Sequence, residues 1–409
     1  MAVLALVALV AVPALGANPS CDGTHWVGTW MAPPHDSTAS VAVGDRHTFE
    51  NQTFRMMVNP HLGGTGVRVQ LTNRFGWLPI TIDDVHIALR GGGASTVPGS
   101  DHALTFGGKT SVTIPAGYDV MSDPMGMAVV PFVDLAVSFH LYGAGALDIH
   151  RYAGATQYAS PPGSGDLSGR GDGSVFTDTF DSWLAVAGVE VQVPKADGAV
   201  VALGDSLTDG IGSTFDGDAR WPDQLARRAA SGRVVSPVSI LNAGVSGNQV
   251  TKDNVESRGD VVRGAGLSAP NRVQADVMGR GVTDVVVFVG INDLFAPNSD
   301  DPVRDVIDGY RAIVARARAT GLRVFGATLT PAGQGGDFEA RRQAINSWIR
   351  SPGAFDGIFD FDAAVRDPAD PSHIRPGYTN EVVHLNDAGY QALANSVDLA
   401  ALRGTGCVA

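Results

Sequence analysis

From Ala199 to the end of the chain, short apolar runs alternate with stretches of helical character, and that alternation restricts the fold more than any other feature. The runs are Ala199–Leu203, Val238–Asn242, Asp284–Val289, Arg323–Leu329 and Ile358–Asp362. The helical stretches are Trp221–Ala230, Pro302–Thr320, Asp337–Arg350 and Asp387–Ala400. Asp301-Pro302 opens the second of these as a cap followed by a proline at the first helical position. Such alternation predicts parallel strands joined by right-handed crossovers. The expected fold is a doubly wound α/β domain around a five-stranded parallel sheet.

Upstream, from Trp26 to about Val193, the pattern differs. Thr53–Val58, Val67–Thr72, Ile80–Leu89, Ser111–Ile114 and Asp134–Leu141 read as short strands separated by Gly, Pro, Asn and Asp turns. Val67 to Thr72 alternates apolar and polar residues, as a half-buried antiparallel strand does. Strands at this spacing, with no helical period among them, predict an all-β sandwich of jelly-roll-like type. The boundary lies near Pro194-Lys-Ala-Asp-Gly198. The expected organisation is a β-sandwich over 17–195 and an α/β domain over 196–409.

Met1 to Gly16 is apolar, too short to span a bilayer comfortably, and ends in a small-x-small pattern, so 1–16 reads as an export signal and the protein as secreted. The only two cysteines, Cys21 and Cys407, sit near the two ends of the chain. In an exported protein a single disulfide between them is the simplest arrangement, with two unpaired thiols as the alternative. The net charge of −13, without a basic run, excludes nucleic acid and stable attachment to an anionic membrane as expected partners. Oligomeric state is not legible.

The chemistry is carried by the ends of the strands, where open α/β sheets bind ligands. Ala199–Leu203 stops at Gly204-Asp205-Ser206, a sharp turn that presents a serine. Alone, this stretch is equally a turn or a helix cap. After the second run comes Asn242-Ala-Gly-Val-Ser-Gly247, whose glycines permit a tight loop with a backbone N–H facing the site. After the third comes Gly290-Ile-Asn292-Asp293, where Asn292 offers a side-chain amide donor. Before the last helix comes Glu381-Val-Val-His384, an imidazole with a carboxylate three residues earlier. A serine nucleophile needs a base, an oriented partner for that base, and donors for the oxyanion. The ordered set, each after its own strand, supplies all three. Asp205, Asp209 and Asp293 are weaker candidates for the acid, and Asp387 reads as the cap of the last helix.

These residues resemble the four sequence blocks of the GDSL-type (SGNH) hydrolases. The resemblance extends to Arg220-Trp221-Pro222-Asp223 and Asp387-Ala-Gly-Tyr390. Trp26-Val-Gly-Thr-Trp30 and Leu71-Thr-Asn-Arg-Phe75 further resemble the leading β domain of secreted two-domain members. The resemblance implies a flavodoxin-like α/β/α sandwich, Ser206 as nucleophile, His384 as general base, and an oxyanion hole from the Ser206 and Gly247 N–H groups and the Asn292 amide, with no cofactor and no metal. The family's usual triad acid is Asp; this chain has Glu381, one methylene longer. Glu381 as the acid, a His384 oriented by another group, and a Ser–His dyad are the three readings. The expected activity is hydrolysis of carboxylic esters through an acyl-enzyme, on a small ester or an esterified polysaccharide. A lipase or lysophospholipase and a non-catalytic carbohydrate-binding protein are the rivals. Trp26, Trp30, Phe49, Phe54, Phe75 and Trp77 are candidates either for sugar stacking or for the β core.

Overall fold

The computed structural model describes residues 23–35, 48–194, 198–231, 238–254 and 265–402. The export signal at 1–16 and both cysteines, Cys21 and Cys407, lie outside the described residues. Among those described, no helix is long and apolar enough to cross a membrane.

The C-terminal half is built on five parallel strands in the spatial order Ser239–Gly244, Ala199–Gly204, Val282–Phe288, Arg323–Ala327, Gly357–Phe359. In chain order this is 2-1-3-4-5, the doubly wound arrangement the alternation predicted. The first three strands are buried along their whole length, which is why they read as predominantly apolar runs. Crossover helices include Trp221–Ser231, Ala269–Asp276, Pro302–Arg318 and Gly336–Ile349, and Asp387–Ser396 closes the domain. Asp301 caps Pro302–Arg318, its carboxylate accepting the Arg304 N–H. The chain leaves Ala199–Gly204 for opposite neighbours in turn, so a crevice opens at the carboxyl end of that strand.

The N-terminal half consists mostly of antiparallel sheets. One joins Thr24–Met31, Val186–Pro194, Gly66–Asn73 and Tyr118–Met121 in that order. A larger one is centred on Thr48–Val58, Leu135–Ala146 and Ile80–Gly92. A short ladder pairs Ile149–His150 with Trp183–Leu184. Of the six aromatics weighed above, Trp30, Phe49 and Phe54 are core residues, and Trp30 meets Trp183 edge-on at 4.9 Å. Trp77 is 62% exposed.

The alternation in Gly66–Asn73 suggested a polar face open to water. Instead that face is largely covered. Arg68 pairs with Glu190, and Gln70 receives bonds from, or gives them to, Arg280 and Asp119. Arg280 belongs to the α/β half, and its carbonyl also accepts the Gly28 N–H at 2.8 Å. The first sheet therefore lies against the α/β domain, and most buried apolar residues of both halves form one continuous cluster from Val27 to Leu402, with a small second one around Met57, Tyr158 and Phe176. A polar face can be buried in this way because its side chains find partners, Arg68 on the neighbouring strand and Gln70 across the seam.

Candidate active site

Strand Ala199–Gly204 delivers Asp205 in extended conformation, and the Asp205 side chain accepts the Leu207 N–H at 3.1 Å. That cap starts a single helical turn, Ser206–Asp209, closed by Gly210 in the left-handed region at φ 101°. Ser206 occupies the first helical position, where a backbone N–H has no acceptor within the helix and remains free to bind a ligand oxygen. The residue is 8% exposed, enough for its hydroxyl to reach the crevice. Burial pushes the Asp205 carboxyl up to about 7, and the nearby Asp293 adds to this; the N–H groups of Leu207 and Gly290 pull it back. Asp205 is thus a buried cap and is not placed on His384.

The His384 Nε2 lies 3.0 Å from the Ser206 Oγ. Its Nδ1 bonds to Glu381 Oε1. A carboxylate accepts only, so Nδ1 carries the proton and Nε2 presents its lone pair to the serine hydroxyl. The Thr379 hydroxyl holds the turn between Glu381 and His384. It accepts the Glu381 N–H at 3.0 Å and lies 2.7 and 2.6 Å from the carbonyls of Glu381 and His384. Asp387, read above as a helix cap, has another job. Asn386 is the cap, accepting from Ala388 and Gly389, while Asp387 accepts the Thr214 N–H and hydroxyl at 2.7 and 2.6 Å.

Opposite the histidine, Gly247 turns its loop at φ 80°, a conformation that disfavours any side chain. Asn292 sits in the helical turn Ile291–Phe295, directly after Gly290 at φ 135°, where a Cβ would run into the Tyr310 hydroxyl. One N–H of the Asn292 amide donates to the Asn248 carbonyl at 3.0 Å, which leaves the other free. Asp293 fixes the same loop, accepting from the Val250 N–H, the Thr251 N–H and the Thr251 hydroxyl at 2.7–2.9 Å. Burial raises the Asp293 carboxyl and these donors offset part of that cost. Ser206, His384 and Glu381 are thus in direct contact, and Gly247 and Asn292 are joined through Asn248. Among the described residues no group of three or more His, Cys, Asp or Glu is arranged to hold a metal ion.

Residues 202–392 match the family model described as the GDSL-like Lipase/Acylhydrolase family. This stretch is a GDSL-like hydrolase domain. Solved structures similar to it include an alpha/beta hydrolase enzyme, LAE5, from the metagenome of Lake Arreo, at 21% identity over 51% of this chain and 95% of that one, with a TM-score of 0.38. A GDSL-like lipase from Bacteroides thetaiotaomicron VPI-5482 has 16% identity over 50% of this chain and 87% of its own, with a TM-score of 0.37. The acetyl xylan esterase AlAXEase has 18% identity over 48% and 96%, with a TM-score of 0.36. No curated protein matches the chain.

Three residues of the GDSL-like domain hold the site in roles the sequence did not reveal; one of them, Asp209, was weighed there only as a possible acid. Arg272, buried on Ala269–Asp276, donates to the carbonyls of Gly204 at 2.7 Å and Ala243 at 2.9 Å, and to Asn248 Oδ1 at 3.1 Å. It thereby ties the serine's strand end to the Gly247–Asn248 loop. Burial lowers its guanidinium below the usual range, with Asp276 and other carboxylates opposing that shift. Asp209 accepts from the Ser246 N–H at 3.0 Å and the Ser246 hydroxyl at 2.5 Å. Thr379 is the third. No local spacing marks any of them, because each acts across long sequence separations or within an irregular turn.

Proposed function

We propose that this protein is a serine esterase that hydrolyses carboxylic esters through a Ser206–His384–Glu381 triad and an acyl-enzyme. The observation that carries this reading is the unbroken line from the Glu381 carboxylate through His384 to the Ser206 hydroxyl. In the proposed reaction, His384 Nε2 takes the hydroxyl proton as Ser206 Oγ attacks the ester carbonyl. The oxyanion is met by the Ser206 and Gly247 N–H groups and the free Asn292 N–H. Collapse of the tetrahedral intermediate breaks the C–O bond, and His384 returns its proton to the departing alcohol. Water, deprotonated by His384, then releases the acid from Ser206.

For the alcohol, a polar groove supports a hydroxyl-rich leaving group such as an acylated carbohydrate. It is lined by Gly212, Ser213, Thr214, Asn380, Asn386 and Asp387, and Gly212 abuts the backbone and Cβ of His384–Leu385. Exposed Phe295 and Val382 support the second reading, a GDSL hydrolase that takes longer acyl chains. A panel of esters varying acyl length and alcohol, run with wild type and Ser206→Ala, tests both. The expected result is a preference for acetyl esters of polyols and a fall in kcat of roughly 10⁴–10⁶ in Ser206→Ala. Comparable turnover by the variant would refute the assignment, and a preference for long acyl chains would favour the second reading.

A further inference from the structure

His150 belongs to the N-terminal half, on the short strand Ile149–His150, yet its side chain reaches Asp209, three residues after Ser206. Its Nε2 lies 3.0 Å from Asp209 Oδ1, and its Nδ1 lies 2.8 Å from the Pro33 carbonyl. Both residues are buried. The carbonyl can only accept, so Nδ1 donates to it, and the Nε2–Asp209 contact must hold a further proton between imidazole and carboxylate. The other oxygen of Asp209 takes both bonds from Ser246, the residue before Gly247. The imidazole is wedged between Trp183 at 5.4 Å and His35 at 5.1 Å, so its position is set by the β half.

We infer that His150 is a positioning residue for ester hydrolysis: acting through Asp209 and Ser246, it fixes the Gly247 N–H of the oxyanion hole from the N-terminal half. The inference rests on the proposed serine-esterase reading. Without the imidazole, Asp209 keeps a buried carboxylate oxygen with no donor from that half. The carboxylate is then free to rotate, and the Ser246–Gly247 backbone moves with it. A displaced donor weakens binding of the tetrahedral intermediate while leaving ground-state binding of the ester intact. The loss should therefore fall on kcat, and misplacement on the scale of an ångström can cost about 100-fold.

The test uses the full chain and measures kcat, KM and the dissociation constant of a phenylboronic acid, whose serine adduct places an oxygen in the oxyanion hole. For His150→Leu the expected result is a fall in kcat of roughly 10–100-fold, KM within about 3-fold of wild type, and boronate affinity reduced in step with kcat. His150→Gln, whose amide can still donate to Asp209, should recover to within about 3-fold of wild type. Unchanged kcat and boronate affinity in a folded His150→Leu protein overturn the inference, as does a Gln variant as impaired as the Leu variant. If His150→Leu fails to fold, Ser246→Ala decides: a joint loss of kcat and boronate affinity supports the coupling, and wild-type values refute it. A wild-type protein that neither hydrolyses esters nor binds the boronate would instead sink the esterase reading itself. Active wild type with indifferent His150 and Ser246 variants would sink only the coupling.

Discussion

The two sides of the crevice are held by different means. The Ser206 side is buried and cross-linked: Asp205, Asp209, Arg272 and Asp293 are nearly inaccessible, and each bonds to backbone more than thirty residues away or caps the turn itself. The His384 side is an exposed loop held mainly by its own residues, with a distant clasp from Thr214 to Asp387. Glu381 is 54% exposed, His384 25%, and their shape comes from Thr379 and Asn386, both within seven residues. Buried polar networks specify one geometry because any unpaired member is costly. An exposed ion pair has water as a substitute partner. The oxyanion side should therefore be intolerant of change, and the acid should be the more dispensable part.

The comparison can be broken by substitution. Asn292→Ala, which removes a donor from the buried side, should lower kcat by roughly 10²–10³ with little change in KM. Glu381→Gln keeps a hydrogen-bond acceptor but removes the charge. Its loss should be only about 10–100-fold, below the roughly 10⁴ associated with a buried triad acid. Steady-state rates on one activated acetate ester compare the two. A larger loss at Glu381 than at Asn292 would invert the ranking.

A second contrast sharpens the role given to the N-terminal half. Two of its histidines grip carboxylates of the α/β half. His150 reaches Asp209 on the nucleophile's own turn, whereas His61 reaches Asp223 on Trp221–Ser231 at 3.3 Å, its other nitrogen meeting the Ile240 carbonyl. His61→Leu should cost about 1–2 kcal/mol of stability by removing one donor from the buried Asp223 carboxylate, which keeps the Arg220 N–H and guanidinium, and leave kcat within about 3-fold. Denaturant midpoints and rates on the same preparation separate these effects.

The smallest expected effect concerns acid stability. Burial, and after it the charge of His150, hold the His35 imidazole well below its ordinary pKa, and both of its ring nitrogens lack a hydrogen-bond partner. The folded state then binds fewer protons than the unfolded chain as pH falls below the unfolded value of about 6.5. Stability is retained above that value and lost on acidification, with a slope approaching 1.4 kcal/mol per pH unit from this group. Replacing His35 with Leu should flatten the decline of melting temperature between about pH 6.5 and 5. An unaltered slope would contradict the assignment.

Much of the α/β half was legible because its signals are local. The five apolar runs fall within two residues of most observed strand ends, since fully buried parallel strands admit little polar sequence. Ser206, Asn292, Glu381 and His384 follow strands or precede a helix at recognisable places. The β half was less legible. Thr24–Met31 and Val186–Pro194 pair with each other across the whole region, and no short-range pattern specifies that register. The choice of Asn386 over Asp387 as cap also escaped, because both residues cap well and only the distant Thr214 decides between them. Arg272 and the His150–Asp209–Ser246 chain are tertiary polar contacts, written in no spacing at all.

Labelling with a fluorophosphonate, followed by mass mapping of the adduct, tests the central claim most directly. The account predicts one adduct, on Ser206, formed rapidly in wild type and much more slowly in His384→Ala. A folded wild-type protein that stays unlabelled, or carries the phosphonyl group on another residue, would contradict it.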